Sequence, residues 1–152
     1  MAMTMKPKIL KDAPCQTIVH SGPQVDLYTL PIQTCWPLDT GPLITWGLVT
    51  TSDTPFTRHN NGIYRMQVIT KNKLIVRWLP KRGGALDYLK WQQINPNKPF
   101  KIAVALGAEP ATSSAAVTPI PDTLSEYTYS AILSGHKTEL VKALSQDLLV
   151  SA

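Results

Sequence analysis

The chain has 152 residues, of which 43% are hydrophobic and 16% charged, which is typical of one globular domain with its own core. Its net charge of +5 comes from scattered basic residues, without a stripe of interleaved aromatics, and this argues against nucleic acid as a partner. No apolar run reaches the roughly 18 residues of a membrane-spanning helix, and the N-terminus lacks the apolar core of a secretory signal. With only two cysteines, Cys15 and Cys35, outside any CxxC pair, the sequence predicts a reduced, cytoplasmic protein.

The first third of the chain is predicted to form short elements and turns. Residues 1–24 are expected to be an extended lead-in, and residues 24–32 a short strand or turn. Prolines and a glycine mark residues 35–42 as a turn. The β-branched run over 43–52 predicts a buried strand, and the polar residues 53–62 predict a loop.

The middle of the chain predicts a β-hairpin followed by a helix and another strand. Apolar and polar residues alternate in IYRMQVIT and again in KLIVRWL, and the short link KNK between them suits a hairpin turn. Residues 85–94 have helical spacing, with Leu86, Leu89 and Ile94 on one side. A buried strand is then predicted over 100–107.

Two helices and an ambiguous tail are predicted in the last third. Pro110 suits the first turn of one helix. Asp122 is the expected N-cap of the next helix, which runs to about Leu133 and stops at Gly135. Residues 138–150 suit either a helix or a strand ending in a turn, and the pattern alone does not decide between them.

The predicted hairpin carries more positive charge than a plain hairpin needs. Because side chains alternate across a strand, Arg65 shares a face with Ile63 and is expected on the core side, where an unpaired charge is costly. Arg77 is expected in the second strand. Arg82 precedes a double glycine at a helix start, where backbone N–H groups favour anions. The pattern indicates a phosphate site, but a surface hairpin whose arginines pair with carboxylates explains these residues equally well.

Two oxygen-bearing side chains lie on either side of this region in the sequence. Asn60 offers a neutral oxygen ligand and Glu126 a carboxylate, and hard cations prefer oxygen ligands. Together they suit a cation held against a phosphate. An ordinary helix-surface charge is the simpler explanation of Glu126, so the residues by themselves leave the metal site open.

Segment after segment, the sequence resembles the UbiD family, and more narrowly its 3-octaprenyl-4-hydroxybenzoate carboxy-lyases. The motifs GIYR, RWL followed by RGGALD, and PDTLSEY occur in the order and spacing of the family. The resemblance extends from about Ala13 onward. It is carried by the segments APCQTIV, LPIQTCWPLDTGPLITWGLV, NNGIYRMQVITKNKLIVRWLPKRGGALDY, VALGAEPATSSAAVTPIPDTLSEY and GHKTELVK.

The resemblance implies a fold and a cofactor that composition does not reveal. Family members are reversible decarboxylases of aromatic and α,β-unsaturated acids that use prenylated FMN, supplied by a UbiX-type flavin prenyltransferase, with Mn²⁺ and often K⁺. The implied fold is β-rich α+β, a split β-barrel of the flavin-reductase type with a few short helices. Residues 1–12 would be a lead-in or residues added to the natural sequence, and 13–152 the central domain between two flanking domains. In that domain, 138–150 would be a barrel strand followed by a turn.

The resemblance also implies roles for individual residues and for partners. Asn60 and Glu126 would be metal ligands, and Arg65 would orient the carboxylate of an aromatic acid substrate. A homo-oligomer is implied, as is peripheral association of the full-length protein with the inner membrane. Arg82 lies in a region where some relatives have a metal-binding histidine, so it is assigned as a cofactor contact and a metal role for it stays open. The implied cofactor-binding segments are Ile63, Tyr64 and Arg65, then Arg77, Trp78 and Leu79, and finally Arg82 and Gly83.

One catalytic group of the family has no counterpart in this sequence. The modified flavin serves as an electron sink while carbon dioxide leaves, and a carboxylic acid from a downstream segment then protonates the product carbon. That segment does not appear before Ala152. The chain is therefore expected to be an incomplete catalyst, a fragment of a decarboxylase of 3-polyprenyl-4-hydroxybenzoate in ubiquinone biosynthesis. The alternative is a catalytically inert flavin-binding or oligomerisation module.

Overall fold

A computed structural model of the protein describes residues 5–52, 59–121 and 123–152. Within these ranges the chain forms seven strands, three α-helices and short 3-10 turns. The strands are β1 (Lys8–Leu10), β2 (Leu43–Thr51), β3 (Asn60–Thr70), β4 (Lys73–Val76), β5 (Ala103–Ala105), β6 (Glu139–Lys142) and β7 (Leu149–Ser151), and the helices are α1 (Gly83–Ile94), α2 (Pro110–Ala115) and α3 (Glu126–Ser134).

The strands form two sheets. A four-stranded antiparallel sheet has the order β4-β3-β2-β5, and a three-stranded sheet has the order β1-β6-β7 with β1 parallel to β6. A register shift between Ile44 and Gly47 interrupts the pairing of β2 with β3, and such a bulge bends a strand and increases its twist. The larger sheet curls into half a barrel, and the predicted β-rich α+β class is confirmed.

The core lies on one face of the larger sheet. Ile44, Val49 and Met66 form its centre and are almost completely buried. The Met66 methyl group occupies the space that a side chain at Gly47 would need, which explains the glycine at the bulge. Because side chains alternate along β3, the burial of Met66 places Arg65 on the opposite, exposed face. The prediction that Arg65 lies on the core side was wrong for this reason.

The N-terminal region is more ordered than an extended lead-in. β1 pairs with β6, and Lys8 forms an ion pair with Glu139 at 2.8 Å. Of the two alternatives for residues 24–32, the turn is what forms. Leu27–Thr29 is a 3-10 turn in which Asp26 accepts a hydrogen bond from its second residue.

Helix α1 occupies the predicted segment but buries a different side. Leu86, Leu89 and Ile94 are 44%, 53% and 68% exposed. The helix packs against β2 and β3, and the residues it buries are Gly84 and Asp87. Apolar spacing therefore identified the helix but not its buried face, because a polar contact from Asp87 to β2 decides the orientation.

Helix α3 begins later than predicted. Ser125 is its N-cap and accepts a hydrogen bond from the Tyr127 N–H at 3.2 Å. Asp122, the predicted N-cap, lies outside the described residues. Gly135 ends the helix at φ +79°, a conformation that glycine adopts without strain, as predicted. In the described part of the chain, no helix combines the length and hydropathy that crossing a bilayer requires.

The ambiguous tail forms two strands, β6 and β7, joined by a turn. Leu140 and Val141 are consecutive and both buried, so β6 is covered on both faces and shows no alternation in its sequence. Tyr127 of α3 anchors this hairpin. Its hydroxyl donates to the Leu149 carbonyl at 3.2 Å and also lies 3.2 Å from Oγ1 of Thr50.

Removing the Tyr127 hydroxyl tests this anchor. We expect Tyr127→Phe to lower the free energy of unfolding by about 1–3 kcal/mol, because buried hydrogen-bonding partners on β2 and β7 lose their contact. Denaturant unfolding measures the change. Tyr28→Phe is the control, since Tyr28 is exposed and should change stability little. Equal stabilities for the two variants would contradict the anchoring role.

Candidate functional site

A cavity of about 580 Å³ lies beside the first half of β3. Three arginines from separate points of the sequence converge on it. Six of the eight residues predicted to bind the cofactor line this cavity, whereas Trp78 and Gly83 do not. The far wall of the cavity, residues 116–119 after α2, was not predicted from the sequence. Its residues are small and apolar apart from one threonine, and such residues give no signal of a binding site. The predicted lining residues are Ile63, Tyr64, Arg65, Arg77, Leu79 and Arg82.

Arg65 and Arg77 are opposed across the edge of the sheet. β4 ends at Val76, so Arg77 lies just beyond the strand. The prediction that Arg77 lies within the second strand was therefore wrong. Its N–H still donates to the Arg65 carbonyl at 3.3 Å, which keeps the two residues adjacent. Like charges in such positions are destabilising. An anion bound between them would remove this cost.

None of the three arginines has an ion-pair partner within the described ranges. The alternative of a hairpin whose arginines pair with carboxylates therefore lacks support in this part of the molecule. Arg65, Arg77 and Arg82 are all exposed at the cavity, where their guanidinium groups remain available to an anion.

The turn after β4 is held against β3 by Tyr64. Its hydroxyl accepts a hydrogen bond from the Gly84 N–H at 3.1 Å, and Arg82 is the N-cap of α1. Trp78 packs edge-on against Tyr64 and against Phe100, with ring centroids 6.2 and 5.8 Å apart. Trp78 thus belongs to the aromatic cluster beneath the cavity and supports it without lining it.

Asn60 lies at the start of β3 and faces α1. Its Nδ2 donates to Oγ1 of Thr51 at 3.1 Å, and Thr51 Oγ1 donates to Oδ2 of Asp87 at 2.6 Å. The Asn60 side chain fills the space beside Gly83 where any larger residue would place its Cβ. Gly83 therefore acts through close packing with Asn60, not by lining the cavity.

The next residue, Asn61, faces the other side of β3, toward α3. Its Oδ1 accepts from Thr50 Oγ1 at 2.8 Å, and Thr50 contacts the Tyr127 hydroxyl. Burial raises the pKa of Tyr127 to about 12, and the charge of neighbouring Glu126 also acts in that direction. The hydroxyl thus stays protonated, and the network ties the start of α3, with Glu126, to the start of β3.

The two predicted metal ligands, Asn60 and Glu126, are both oxygen donors, which hard cations prefer. Two protein ligands are too few for a metal site by themselves, and the described residues contain no group of three or more His, Cys, Asp or Glu placed to hold a metal. A cation here would need further oxygen ligands from a bound molecule. Phosphate oxygens are ligands of this kind.

Comparison with known proteins identifies the family. The family model of the 3-octaprenyl-4-hydroxybenzoate carboxy-lyase Rift-related domain, UbiD, matches residues 8–152. The chain belongs to the UbiD family. Its β-rich α+β architecture is that of the solved UbiD-class enzymes.

Three solved structures resemble this UbiD-family chain. HmfF from Pelotomaculum thermopropionicum, an evolved dimeric form in complex with prFMN, is 29% identical with a TM-score of 0.77, over 85% of this chain and 30% of that chain. Vanillic acid decarboxylase from Sedimentibacter hydroxybenzoicus, in closed form, is 27% identical with a TM-score of 0.86, over 95% and 32%. Klebsiella pneumoniae 3,4-dihydroxybenzoic acid decarboxylase is 26% identical with a TM-score of 0.87, over 99% and 33%. The chain thus spans about a third of the length of these enzymes.

A side chain at position 83 tests the contact with Asn60. Alanine favours helices over glycine by about 1 kcal/mol, so Gly83→Ala would stabilise α1 if space were free. We expect a loss of stability instead, because the new Cβ overlaps Oδ1 of Asn60. In the Asn60→Ala background the same substitution should become neutral or stabilising. Denaturant unfolding of the four proteins measures this, and an equal cost in both backgrounds would contradict the contact.

His59 makes stability at this end of β3 dependent on pH. Its Nε2 accepts a hydrogen bond from the Leu149 N–H at 3.1 Å, and burial lowers the pKa of His59 below its ordinary 6.5. The folded state therefore binds fewer protons than the unfolded state below about pH 6.5, and the free energy of unfolding falls as pH drops through that value.

We expect the loss of stability between about pH 7.5 and 5.5 to be smaller in His59→Gln, which cannot take up a proton in this range. Unfolding curves at the two pH values measure it. His20→Gln is the control, because His20 is exposed. The same pH dependence in the wild-type and His59→Gln proteins would contradict this assignment.

Proposed function

We propose that the chain carries the phosphate- and metal-binding end of a prenylated-FMN site in a non-oxidative decarboxylase of aromatic acids. The observation that carries the proposal is the convergence of Arg65, Arg77 and Arg82 on one cavity, without ion-pair partners among the described residues. Membership of the UbiD family and the solved prFMN complex of HmfF support a flavin phosphate as the anion.

In this proposal the three arginines bind different groups. Arg82, at the N-terminus of α1, and Arg77 hold the phosphate, where the helix dipole and charge-assisted hydrogen bonds favour an anion. Arg65 orients the carboxylate of the substrate, and Ile63, Tyr64 and Leu79 contact the cofactor. When bound, prenylated FMN supplies the electron sink for decarboxylation.

The metal fits the residues in part. Asn60 and Glu126 would hold Mn²⁺ as oxygen ligands, and the phosphate would supply further oxygen ligands. The positive ion would also offset the negative charge of the phosphate. K⁺ is a further expected ion, for which the described residues suggest no ligands.

The proton that replaces carbon dioxide needs an acid. The described residues that line the cavity include no carboxyl or imidazole group. We therefore propose that the protonating acid comes from outside this set and that the isolated chain binds its cofactor better than it turns over substrate. FMN binding is for this reason a more direct test than release of carbon dioxide.

For the substrate we propose 3-polyprenyl-4-hydroxybenzoate, the acid of ubiquinone biosynthesis. The name of the matching family model supports this choice, and the vanillic and 3,4-dihydroxybenzoic acid decarboxylases support a ring-hydroxylated benzoate more generally. A UbiX-type prenyltransferase would supply the cofactor. The dimeric form of HmfF supports self-association, and peripheral membrane association of the full-length protein belongs to the same proposal.

Comparing FMN with riboflavin isolates the phosphate, since riboflavin has the same ring system without it. We expect the wild-type chain to bind FMN about ten- to hundredfold more tightly than riboflavin, which corresponds to one or two charge-assisted hydrogen bonds. Arg82→Gln and Arg77→Gln should reduce this preference. Fluorescence titration of each flavin measures the affinities.

Lys71→Gln is the charge-matched control, because Lys71 lies on the exposed β3–β4 turn outside the cavity lining. It should leave the preference for FMN unchanged. Equal affinities for FMN and riboflavin in the wild-type chain would contradict the proposed phosphate site. A preference that survives both arginine substitutions would place the phosphate elsewhere.

A further inference from the structure

We propose that Thr51 and Asp87 are positioning residues that fix the amide of Asn60 so that its oxygen is presented as a ligand. This inference rests on the proposed function, in which Asn60 binds the metal. It concerns two residues on different elements, β2 and α1, neither of which lines the cavity.

The direction of the hydrogen bonds follows from counting protons. Oγ1 of Thr51 donates to Oδ2 of Asp87 across their 2.6 Å contact, and this bond uses the single hydroxyl proton of Thr51. The oxygen of Thr51 can then only accept from Asn60. The end of the Asn60 amide that faces Thr51 must therefore be Nδ2, and Oδ1 must point the other way.

The surroundings of Oδ1 complete the inference. Oδ1 lies beside Gly83, at the first turn of α1, in space that only a glycine leaves open. Among the described residues it accepts no hydrogen bond, so its lone pairs remain available to a ligand. Outer partners of this kind orient a metal ligand and increase its basicity.

Burial protects the arrangement from water. Thr51 and Asp87 are 0% and 1% exposed, so solvent does not compete for their hydrogen bonds. A buried carboxylate is costly to retain, and a hydrophobic residue would fill the same position at less cost.

A purely structural link between β2 and α1 would explain the same contacts, and substitutions separate the two roles. Thr51→Val removes the hydroxyl at nearly constant volume, whereas Thr51→Ser retains it. Thr112→Val is the matched control, because Thr112 is also 0% exposed and its hydroxyl pairs with Ser130 at 2.9 Å, on α2 and α3. Thr112→Val loses one buried hydroxyl contact and Thr51→Val loses two, and only Thr51→Val releases Asn60.

Two measurements are made on each variant. The first is the solvent exchange of the Asn60 side-chain NH₂ by NMR, with the signal assigned by its loss in Asn60→Ala. The second is the affinity for Mn²⁺ in the presence of FMN, from the electron paramagnetic resonance signal of the unbound ion. Thr51→Val should accelerate exchange and weaken Mn²⁺ binding about ten- to hundredfold, as loss of such partners does elsewhere. Thr51→Ser and Thr112→Val should remain close to wild type in both.

The outcomes distinguish this inference from the proposed function. If Thr51→Val matches Thr112→Val in both measurements, the positioning role is overturned. If the wild-type chain shows no Mn²⁺ binding that Asn60→Ala removes, the metal site of the proposed function fails. The NMR exchange measurement then decides alone. Faster exchange of the Asn60 NH₂ in Thr51→Val than in the wild-type chain supports the positioning role of Thr51. Equal exchange rates in the two proteins overturn it.

Discussion

Two consecutive buried asparagines at the start of β3 connect this strand to helices α1 and α3. Because a strand presents successive side chains on opposite faces, Asn60 is directed to α1 and Asn61 to α3. Asn60 connects through Thr51 to Asp87, and Asn61 connects through Thr50 toward Tyr127. Each buried amide is thus held by a threonine of β2. One hydrogen-bond network fixes Asn60, and the other connects β3 to the start of α3, where Glu126 lies.

The same alternation places the positive charge further along β3. Met66 takes the core face, so Arg65 is exposed, and the hairpin then brings Arg77 beside it. The aromatic packing of Trp78 and the hydrogen bond from Gly84 to Tyr64 fold the following turn back, which brings Arg82 to the same cavity. A stable fold alone does not require three adjacent cations without partners among the described residues. Under the proposed function, binding of an anion would offset their repulsion.

Much of this could be predicted from the sequence, because it depends on local patterns. A β-branched run identified β2, alternation identified most of β3, the proline identified the start of α2, and Gly135 identified the end of α3. Motif resemblance selected most residues that line the cavity. The face of β3 that carries Arg65 was predicted wrongly, since alternation fixes which residues share a face but not which face is buried.

Features that depend on contacts between distant residues were not predictable. Asp87 orients α1 through a hydrogen bond to β2, and the spacing of apolar residues in the sequence does not indicate such a contact. Residues 116–119 reach the cavity only because α2 packs where it does. Leu140 and Val141 are buried on opposite faces of β6, so their strand carried no alternating signal. The role of Thr51 likewise becomes visible only once Asn60 and Asp87 are seen on either side of it.

The central claim is that this end of β3 holds a phosphate and a cation together. A crystal structure of the chain with FMN and Mn²⁺, with the metal located by its anomalous scattering, tests this claim most directly. The account predicts the phosphate in hydrogen-bonding contact with Arg77 and Arg82, and the ion bound by Asn60 Oδ1, Glu126 and a phosphate oxygen. A phosphate bound away from these arginines, or an ion that contacts neither Asn60 nor Glu126, would contradict it.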